Sequence, residues 1–267
     1  LTPYQKELLD ELIGEEYIQK YNPFIRHIIK RKRSTLENTI DPETNEPYLK
    51  KIDVELFGED DNSALILTPP LKAAYEYAEE FTSLLKKRTG AKGFYKTLLL
   101  RRIGSSIQAG LNTAKVIYER QAIVMDDFDE DDVEEFFEKV EINKDELYCL
   151  ERIIELLEYN KQNDPKLSKI IQILTDMNWL ERGCIIFSEY FDTAWTVAQT
   201  LSSFFTDELI GFYAGGNKSG ILRGGKFSNI ERDEIKELVL DRKIRLMIGT
   251  DAAAEGLNLQ TLGTLIN

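Results

Sequence analysis

The chain has 267 residues, of which 42% are hydrophobic and 30% are charged, a composition typical of globular rather than disordered proteins. One histidine, His27, and two widely separated cysteines argue against Ser-His-Asp or Cys-His catalysis, a disulfide framework and most zinc chemistry. The net charge of −13 argues against a protein that coats nucleic acid nonspecifically.

Residues 1–162 predict a mainly helical region. The segment TPYQKELLDELIGEEYIQKY places four apolar residues on one helical face: Leu8, Leu9, Leu12 and Ile13. Turn signals follow at Asp41-Pro42, and residues 51–57 predict a short strand. Pro69 then begins a helix that continues to about Lys87, because proline is tolerated in the first turn of a helix.

A second long helix is predicted over residues 93–122. Apolar residues keep helical register along it: Leu99, Ile103, Ile107, Leu111 and Ala114. The acidic segment 126–146 comes next, and its charges favour a solvated linker or an interaction face. Four apolar residues in it could instead let part of the segment dock as an amphipathic helix: Phe128, Val133, Phe136 and Phe137.

From Asp164 onward the sequence predicts alternating helices and strands. Asp164 has the properties of a helix N-cap, with Pro165 at the first helical position. Four apolar runs of strand length follow: GCIIFS, ELIGFY, IRLMIG and LGTLIN. Asp192 is predicted to cap the helix after the first run, and a capping box of Ser228 and Glu231 is predicted to begin the helix before the third.

Strands that are apolar throughout, with helices between them, predict an α/β fold with a parallel sheet covered on both faces by helices. Such sheets bind ligands at the carboxyl ends of their strands. The loops that follow Ser188, Tyr213 and Gly249 are therefore the places where the sequence predicts a site.

Two of these loops offer candidate contacts to a phosphate. Ser188 lies at a strand end, where its hydroxyl can bind a phosphate oxygen or satisfy a backbone group. Residues 214–227, AGGNKSGILRGGKF, predict either a loop that follows a polyanion or a mobile surface loop, and carry three cations: Lys218, Arg223 and Lys226. This is not a Walker phosphate loop, because Phe212 and Asn217 stand where glycines are required.

The third loop supports a resemblance to a known family. The segment TDAAAEGLNLQTLGTLIN closely resembles motif V, with its following strand, of superfamily 2 helicases, above all the SWI/SNF-type DNA translocases and their bacterial RapA-like (HepA-like) branch. CIIFSEYFDTAWTVAQTL is similar to motif IV of the same group. Upstream, NPFIRHIIKRKRSTLE resembles the arginine-rich exit from the first motor lobe, and LTPPLKAAYEYAEEF the helix that follows it.

The resemblance implies a domain organisation and a set of contacts. Residues 1–162 would be a helical inter-lobe region, and residues 163–267 an incomplete RecA-like second lobe that is truncated before the arginine-bearing motif VI. The lobe would contact the nucleic-acid backbone through three residues: Ser188, Thr250 and Asp251. It would contact the nucleotide through three others: Glu255, Gly256 and Asn258. Glu189 stands where many relatives carry glutamine.

The implied function is that of one part of an ATP-dependent DNA translocase. ATP and Mg²⁺ are expected in the intact protein and no cofactor in this fragment, which carries no expected catalytic residue and no metal site. Because the phosphate loop, Mg²⁺ and an arginine finger supply most of the catalysis in such motors, the fragment is expected to be inactive alone. The expected partners are double-stranded DNA, contacted through its backbone, and the missing first lobe, with RNA polymerase or another protein as a further candidate.

The expected compartment is the bacterial cytoplasm or nucleoid. Apolar runs in the chain are far shorter than a bilayer span, and its first residues lack the features of a secretory signal. No membrane partner is therefore expected.

Two alternatives stay open. The first is a non-enzymatic interaction module in which the acidic helical region grips a basic partner and the α/β part is only a scaffold. The second is an unrelated doubly wound enzyme, for instance a nucleotide-dependent transferase, which would need a glycine-rich loop after the first strand. The segment FSEYFDTAW contains no glycine, so this alternative ranks last.

Overall fold

The structure is a computed structural model that describes residues 2, 4, 32–49, 65–89, 94–120, 122–123, 140–250 and 261–267. The chain divides into two units, Leu1–Ala64 and Leu65–Asn267. Helices 65–160 therefore belong to the same unit as the α/β part. The predicted division into residues 1–162 and 163–267 is a different one, and it stays a prediction.

The first unit contains the helix α1 (Arg33–Asn38). An isolated antiparallel bridge between Ile40 and Pro47 closes the turn predicted at Asp41-Pro42, and Asn45 adopts a left-handed conformation in it (φ 58°). The apolar residues of the predicted N-terminal helix and the strand predicted over residues 51–57 lie outside the described residues.

The helical part of the second unit consists of long helices and two short strands. They are α2 (Pro69–Thr89), α3 (Phe94–Ser105), α4 (Ile107–Arg120), β1 (Ala122–Ile123), β2 (Val140–Glu141) and α5 (Lys144–Asn160). The helix predicted from Pro69 is confirmed. Only the last residues of the acidic segment 126–146, in β2 and the start of α5, lie within the described part of the chain.

The helix predicted over residues 93–122 is wrong in one respect, because the chain forms two helices that meet at Ser106. The Ser106 hydroxyl accepts the N–H of Ala109 (3.1 Å), which is the bond of an N-cap residue. The N–H of Ile107 donates to the Asp164 carboxylate (3.0 Å). The apolar register was predicted correctly, since all five residues of the predicted stripe are buried: Leu99, Ile103, Ile107, Leu111 and Ala114.

The α/β part alternates helices and strands as predicted. Its elements are α6 (Pro165–Asp176), α7 (Trp179–Arg182), β3 (Cys184–Phe187), α8 (Phe191–Phe204), β4 (Ile210–Tyr213), β5 (Gly220–Arg223), β6 (Lys226–Asn229), α9 (Arg232–Leu240), β7 (Leu246–Gly249) and β8 (Thr264–Ile266). Asp164 caps α6 by accepting the N–H of Lys166 (2.9 Å), which confirms the predicted N-cap.

The sheet has the strand order β6-β5-β4-β7-β3-β8 and is mixed. Strands β4, β7, β3 and β8 are parallel, whereas β5 and β6 run antiparallel to their neighbours. The α/β fold is confirmed, and the purely parallel sheet is corrected. Alternate strand residues such as Ile186 and Phe212 pack on the face covered by α6 and α8, and Ile185 and Met247 on the face covered by α9.

The antiparallel hairpin β5–β6 corrects the prediction of a mobile loop over residues 214–227. Its two-residue turn is formed by Gly224 (φ 54°) and Gly225 (φ 75°), and positive φ at both central positions is what the favoured hairpin turn requires. Ser228 lies in β6, so the predicted capping box is wrong. Glu231 precedes α9 without a side-chain capping bond.

The predicted cap at Asp192 is also wrong, because α8 begins one residue earlier, at Phe191, and Asp192 lies in its first turn. The Phe191 ring stacks on Trp195 at a centroid distance of 6.2 Å, which favours the earlier start. An acidic residue in a first turn still interacts favourably with the helix dipole. Among the described residues, no helix has the length and apolar character that a bilayer span requires.

Candidate nucleic-acid interface

Three neighbouring parallel strands end at the same edge of the sheet. Gly249 at the end of β7 is in register with Tyr213 of β4 and Phe187 of β3. Backbone bonds continue one residue further, since Thr250 N–H donates to the Tyr213 carbonyl (3.1 Å) and Ser188 N–H donates to the Gly249 carbonyl (3.0 Å). The loops after these three strands therefore begin side by side, at what we call the strand-end edge.

Ser188 and Thr250 are both partly exposed at this edge. The Ser188 hydroxyl donates to the carbonyl oxygen of Tyr190 at 3.3 Å, so in this structure it satisfies a backbone group. That distance is beyond the usual range for a hydroxyl donor. A phosphate oxygen placed at the edge would therefore compete with a weak bond.

The loop after β4 is closed by a buried hydroxyl. Ser219 Oγ accepts the N–H of Ala214 (3.1 Å) and donates to the carbonyl of the same residue (2.9 Å). Gly216 and Asn217 adopt left-handed conformations between them (φ 60° and 57°) and are exposed. The loop is thus fixed at its base and presents its backbone to solvent.

Lys218 extends from this loop towards the start of α8. Its ammonium nitrogen lies 4.6 Å from the centroid of the Phe191 ring, a distance suited to a cation–π contact, and the residue is exposed. Phe191 begins the helix that follows the loop containing Ser188. The structure therefore places Lys218 at the same edge as Ser188 and Thr250.

Arg232 is a further cation beside this loop, and it was not among the contact residues predicted from the sequence. Its guanidinium donates to the Ala214 carbonyl (2.7 Å) and lies 4.9 Å from the centroid of the Tyr213 ring. The helix predicted over the segment SNIERDEIKELVLD already implies that Arg232 and Lys236 lie one turn apart on one face. What it could not show is that this face adjoins the end of β4.

A pocket of about 570 Å³ lies between the β4 loop and the first turn of α9, and Arg232 and Lys236 line it. The Lys236 ammonium donates to the Asp233 carboxylate (3.0 Å), and this hydrogen bond raises the pKa of Lys236. Glu231 and Asp233 also line the pocket. Because these two carboxylates offset the two cations, the pocket by itself has no excess of positive charge.

Arg223 and Lys226 lie elsewhere. They flank the turn of the β5–β6 hairpin, and β5 runs antiparallel to β4 with Leu222 opposite Ile210, the first residue of β4. The hairpin turn is held by a bond from Gly225 N–H to Ser202 Oγ (3.0 Å), near the end of α8. The structure therefore separates Arg223 and Lys226 from the strand-end edge by the length of β4, because they lie beside its first residue and the edge lies beyond its last.

The other predicted contact residues lie in the segment 251–260, which is outside the described residues: Asp251, Glu255, Gly256 and Asn258. Their assignments stay predictions. The described chain resumes at Thr261, whose hydroxyl donates to the Val239 carbonyl in α9 (2.9 Å).

Within the described residues, no group of three or more His, Cys, Asp or Glu side chains could hold a metal ion. No protein-family model matches the chain, and no curated protein matches it. The site is therefore defined by its geometry alone: the hydroxyls of Ser188 and Thr250 and the ammonium of Lys218 at the carboxyl ends of parallel strands.

Proposed function

We propose that residues 163–267 form the RecA-like second lobe of an ATP-dependent DNA translocase and bind the nucleic-acid backbone at the strand-end edge. The observation that carries the proposal is the position of Thr250 beside Ser188. The N–H of Thr250 bonds the carbonyl of Tyr213 in β4, and the carbonyl of the preceding residue, Gly249, accepts the N–H of Ser188. Hydroxyls, backbone N–H groups and lysines are the usual donors to phosphate oxygens. The edge combines two of these, the hydroxyls of Ser188 and Thr250 and the ammonium of Lys218, within one short stretch of surface.

The proposal assigns ATP and Mg²⁺ to the intact protein. They would meet this lobe at Glu255, Gly256 and Asn258, which lie outside the described residues. The lobe's own contribution is to hold the nucleic-acid backbone, and that contribution depends only on the strand-end edge.

Binding to DNA is expected to be weak, indifferent to sequence and sensitive to salt. Phosphate contacts carry no sequence information, and each ionic contact releases counterions. The net charge of −13 and the balanced charges of the α9 pocket oppose a polyanion. Lys218 lies against the Phe191 ring at the edge and forms no ion pair with a carboxylate among the described residues, so its charge should matter most.

The test is a fluorescence anisotropy titration of labelled double-stranded DNA at low salt with Lys218→Ala and Lys226→Ala. Both variants remove one exposed lysine from the same 214–227 segment, but only Lys218 lies at the strand-end edge. Lys218→Ala should weaken binding roughly threefold to tenfold and reduce the slope of log K against log salt by about 0.9. Lys226→Ala should leave both unchanged, and equal effects of the two variants would contradict the proposal.

The interaction-module alternative depends on the acidic segment 126–146, and one described residue in it does not fit a solvated binding face. Glu146 is fully buried and bonded to Arg88 at 3.0 and 2.9 Å. Its carboxylate is therefore occupied within the helical part and is not available to a basic partner.

A further inference from the structure

The helical part contacts the α/β part at the bend between α3 and α4. We define residues 104–106 as the corner, and residues 188–190, between β3 and α8, as the β3–α8 loop. Next to the corner, Arg101 forms an ion pair with Glu189 of the loop (2.9 Å). The guanidinium of Arg102 lies 4.0 Å from the centroid of the Tyr190 ring, and both side chains are buried.

Hydroxyl groups continue this contact into the first turn of α8. Thr193 Oγ1 lies 2.7 Å from Ser105 Oγ and 2.8 Å from Ser106 Oγ. Because Ser106 Oγ accepts the N–H of Ala109, its own proton can be donated to Thr193. Hydrogen bonds in buried surroundings are stronger than in water and are costly to leave unmade.

Asp164 and Lys166, at the start of α6, also form hydrogen bonds with the corner and the residue that follows it. One carboxylate oxygen accepts the N–H of Ile107 in α4 (3.0 Å), and the other accepts the N–H of Lys166 in α6 (2.9 Å). The Lys166 ammonium donates to the carbonyl of Gly104. A single carboxylate therefore caps a helix of each part and fixes their spacing.

We propose that the corner positions the β3–α8 loop and thereby sets the place of Ser188 on the strand-end edge. Thr193 and Arg102 are the positioning residues. β3 holds one end of the three-residue loop, and the contacts of Tyr190 and Thr193 hold the other. The helical part is then a component of the nucleic-acid surface. Only the role of Ser188 rests on the proposed function, since the coupling of corner and loop does not require DNA.

Hydrogen–deuterium exchange of the full chain tests the coupling, with Thr193→Val and Thr196→Val as a matched pair. Both variants replace a threonine hydroxyl of α8 by a methyl group. The Thr196 hydroxyl donates to the Asp192 carbonyl (2.7 Å), so its hydrogen bond stays within α8. Thr193→Val should raise the exchange rate of amides 188–193 roughly fivefold to tenfold, and Thr196→Val should not.

Ser105→Ala is the second variant, in case Thr193→Val does not fold. It removes one of the two hydroxyl partners from α3 and leaves α8 unchanged, so any effect on amides 188–193 must cross the interface. We expect a smaller increase, roughly twofold to fourfold. Unchanged exchange in that segment, or exchange raised equally throughout β4 and β7, would overturn the proposal.

An anisotropy titration separates this inference from the proposed function. Because Ser188 carries no charge, Thr193→Val should weaken DNA binding without changing the salt slope, unlike Lys218→Ala. If exchange rises but binding is unaltered, the positioning of Ser188 for DNA is overturned. If the unaltered chain binds no DNA at low salt, the proposed function fails, while the exchange data still decide whether the corner holds the loop.

Discussion

The helical and α/β parts of the second unit differ in the buried polar side chains that they contain. Both buried charged residues in the described part of the chain, Arg102 and Glu146, belong to the helical part. Glu146 accepts two bonds from Arg88 and one from the N–H of Asn143 (2.9 Å), whose side chain completes a capping box. The sheet interior, by contrast, is apolar on both faces.

This difference follows from where each fold leaves backbone groups without partners. A helix leaves N–H and C=O groups at both ends, so a bundle needs side chains that bond them. In a sheet the ladder satisfies the strand interiors, and the polar groups that remain lie where strands end. Buried charged side chains therefore bond helix ends and helices inside the helical part, whereas the buried polar side chains of the α/β part are hydroxyls that hold its loops and turns, as Ser219 does at the strand-end edge.

The largest expected effects come from truncating one large core side chain in each part. Phe81 in α2 and Phe212 in β4 are both almost completely buried, and truncation of either to alanine should lower the free energy of unfolding by about 3–5 kcal/mol. Both tryptophans of the chain, Trp179 and Trp195, lie in the α/β part. Their fluorescence therefore reports on that part, whereas the long helices α2 to α5 contribute strongly to far-UV circular dichroism.

If the corner and Asp164 join the parts into one cooperative unit, both probes should report the same denaturant midpoint in each variant. Separate midpoints, with Phe81→Ala shifting the circular dichroism and leaving the fluorescence midpoint unchanged, would show that the parts unfold independently. That result would also weaken the inference drawn from Ser105 and Thr193.

A smaller effect is expected from removing the buried Glu146 carboxylate, which pairs with Arg88 in the helical part. Glu146→Ala removes one of the two bonds of the α5 capping box and leaves Arg88 without its carboxylate, and should lower the free energy of unfolding by roughly 2–3 kcal/mol. The effect stays below that of a fully buried pair because the Arg88 side chain is 39% exposed. Urea unfolding followed by circular dichroism measures it.

The control is Glu155→Ala in the same helix. Glu155 pairs with Arg152 one turn earlier, and both side chains are exposed, so no measurable shift in midpoint is expected. Equal losses in the two variants would mean that burial of the Glu146 pair has no special role. The helical and α/β parts would then not differ in the energetic importance of their buried charged groups.

Much of the fold of both parts could be predicted from local sequence patterns. The apolar stripe of α3 and α4, the cap at Asp164 and the four apolar strands depend on neighbours close in the chain, and they were predicted correctly. The meeting of Ser188 and Thr250 also followed, because parallel strands end at a common edge. The Gly224-Gly225 turn is a local hairpin signal as well, but the basic residues around it favoured a loop interpretation.

The remaining features depend on residues far apart in sequence. Nothing local shows that the second carboxylate oxygen of Asp164 accepts the N–H of Ile107, or that Thr193 meets Ser105. The separation of Arg223 from Lys218 is of the same kind, because it follows from the antiparallel return of β5. Side chains that join distant elements are thus both the least predictable part of the site and the part on which its geometry depends.

The smallest expected effect is the pH dependence of the free energy of unfolding that arises from one buried thiol in each part. Burial raises the pKa of Cys149 in α5 and of Cys184 in β3 to about 11, from an ordinary value of 9.0. Between pH 9 and pH 11 the unfolded chain releases protons that the folded chain retains, so stability is complete below pH 9 and falls as pH rises. From pH 8 to pH 9.5 each thiol should lower the free energy of unfolding by about 0.5–1 kcal/mol.

Single substitutions assign this loss to its source. Cys149→Ala and Cys184→Ala should each remove a similar share of the decrease measured by urea unfolding at pH 8 and pH 9.5. Other groups that titrate in this range cancel when each variant is compared with the unaltered chain. If only one substitution reduces the pH dependence, the pKa of the other thiol is not raised in the folded chain, although its burial indicates that it should be. The part that contains it then opens before the whole unit unfolds, and the two parts differ in stability as well as in the way they hold polar groups.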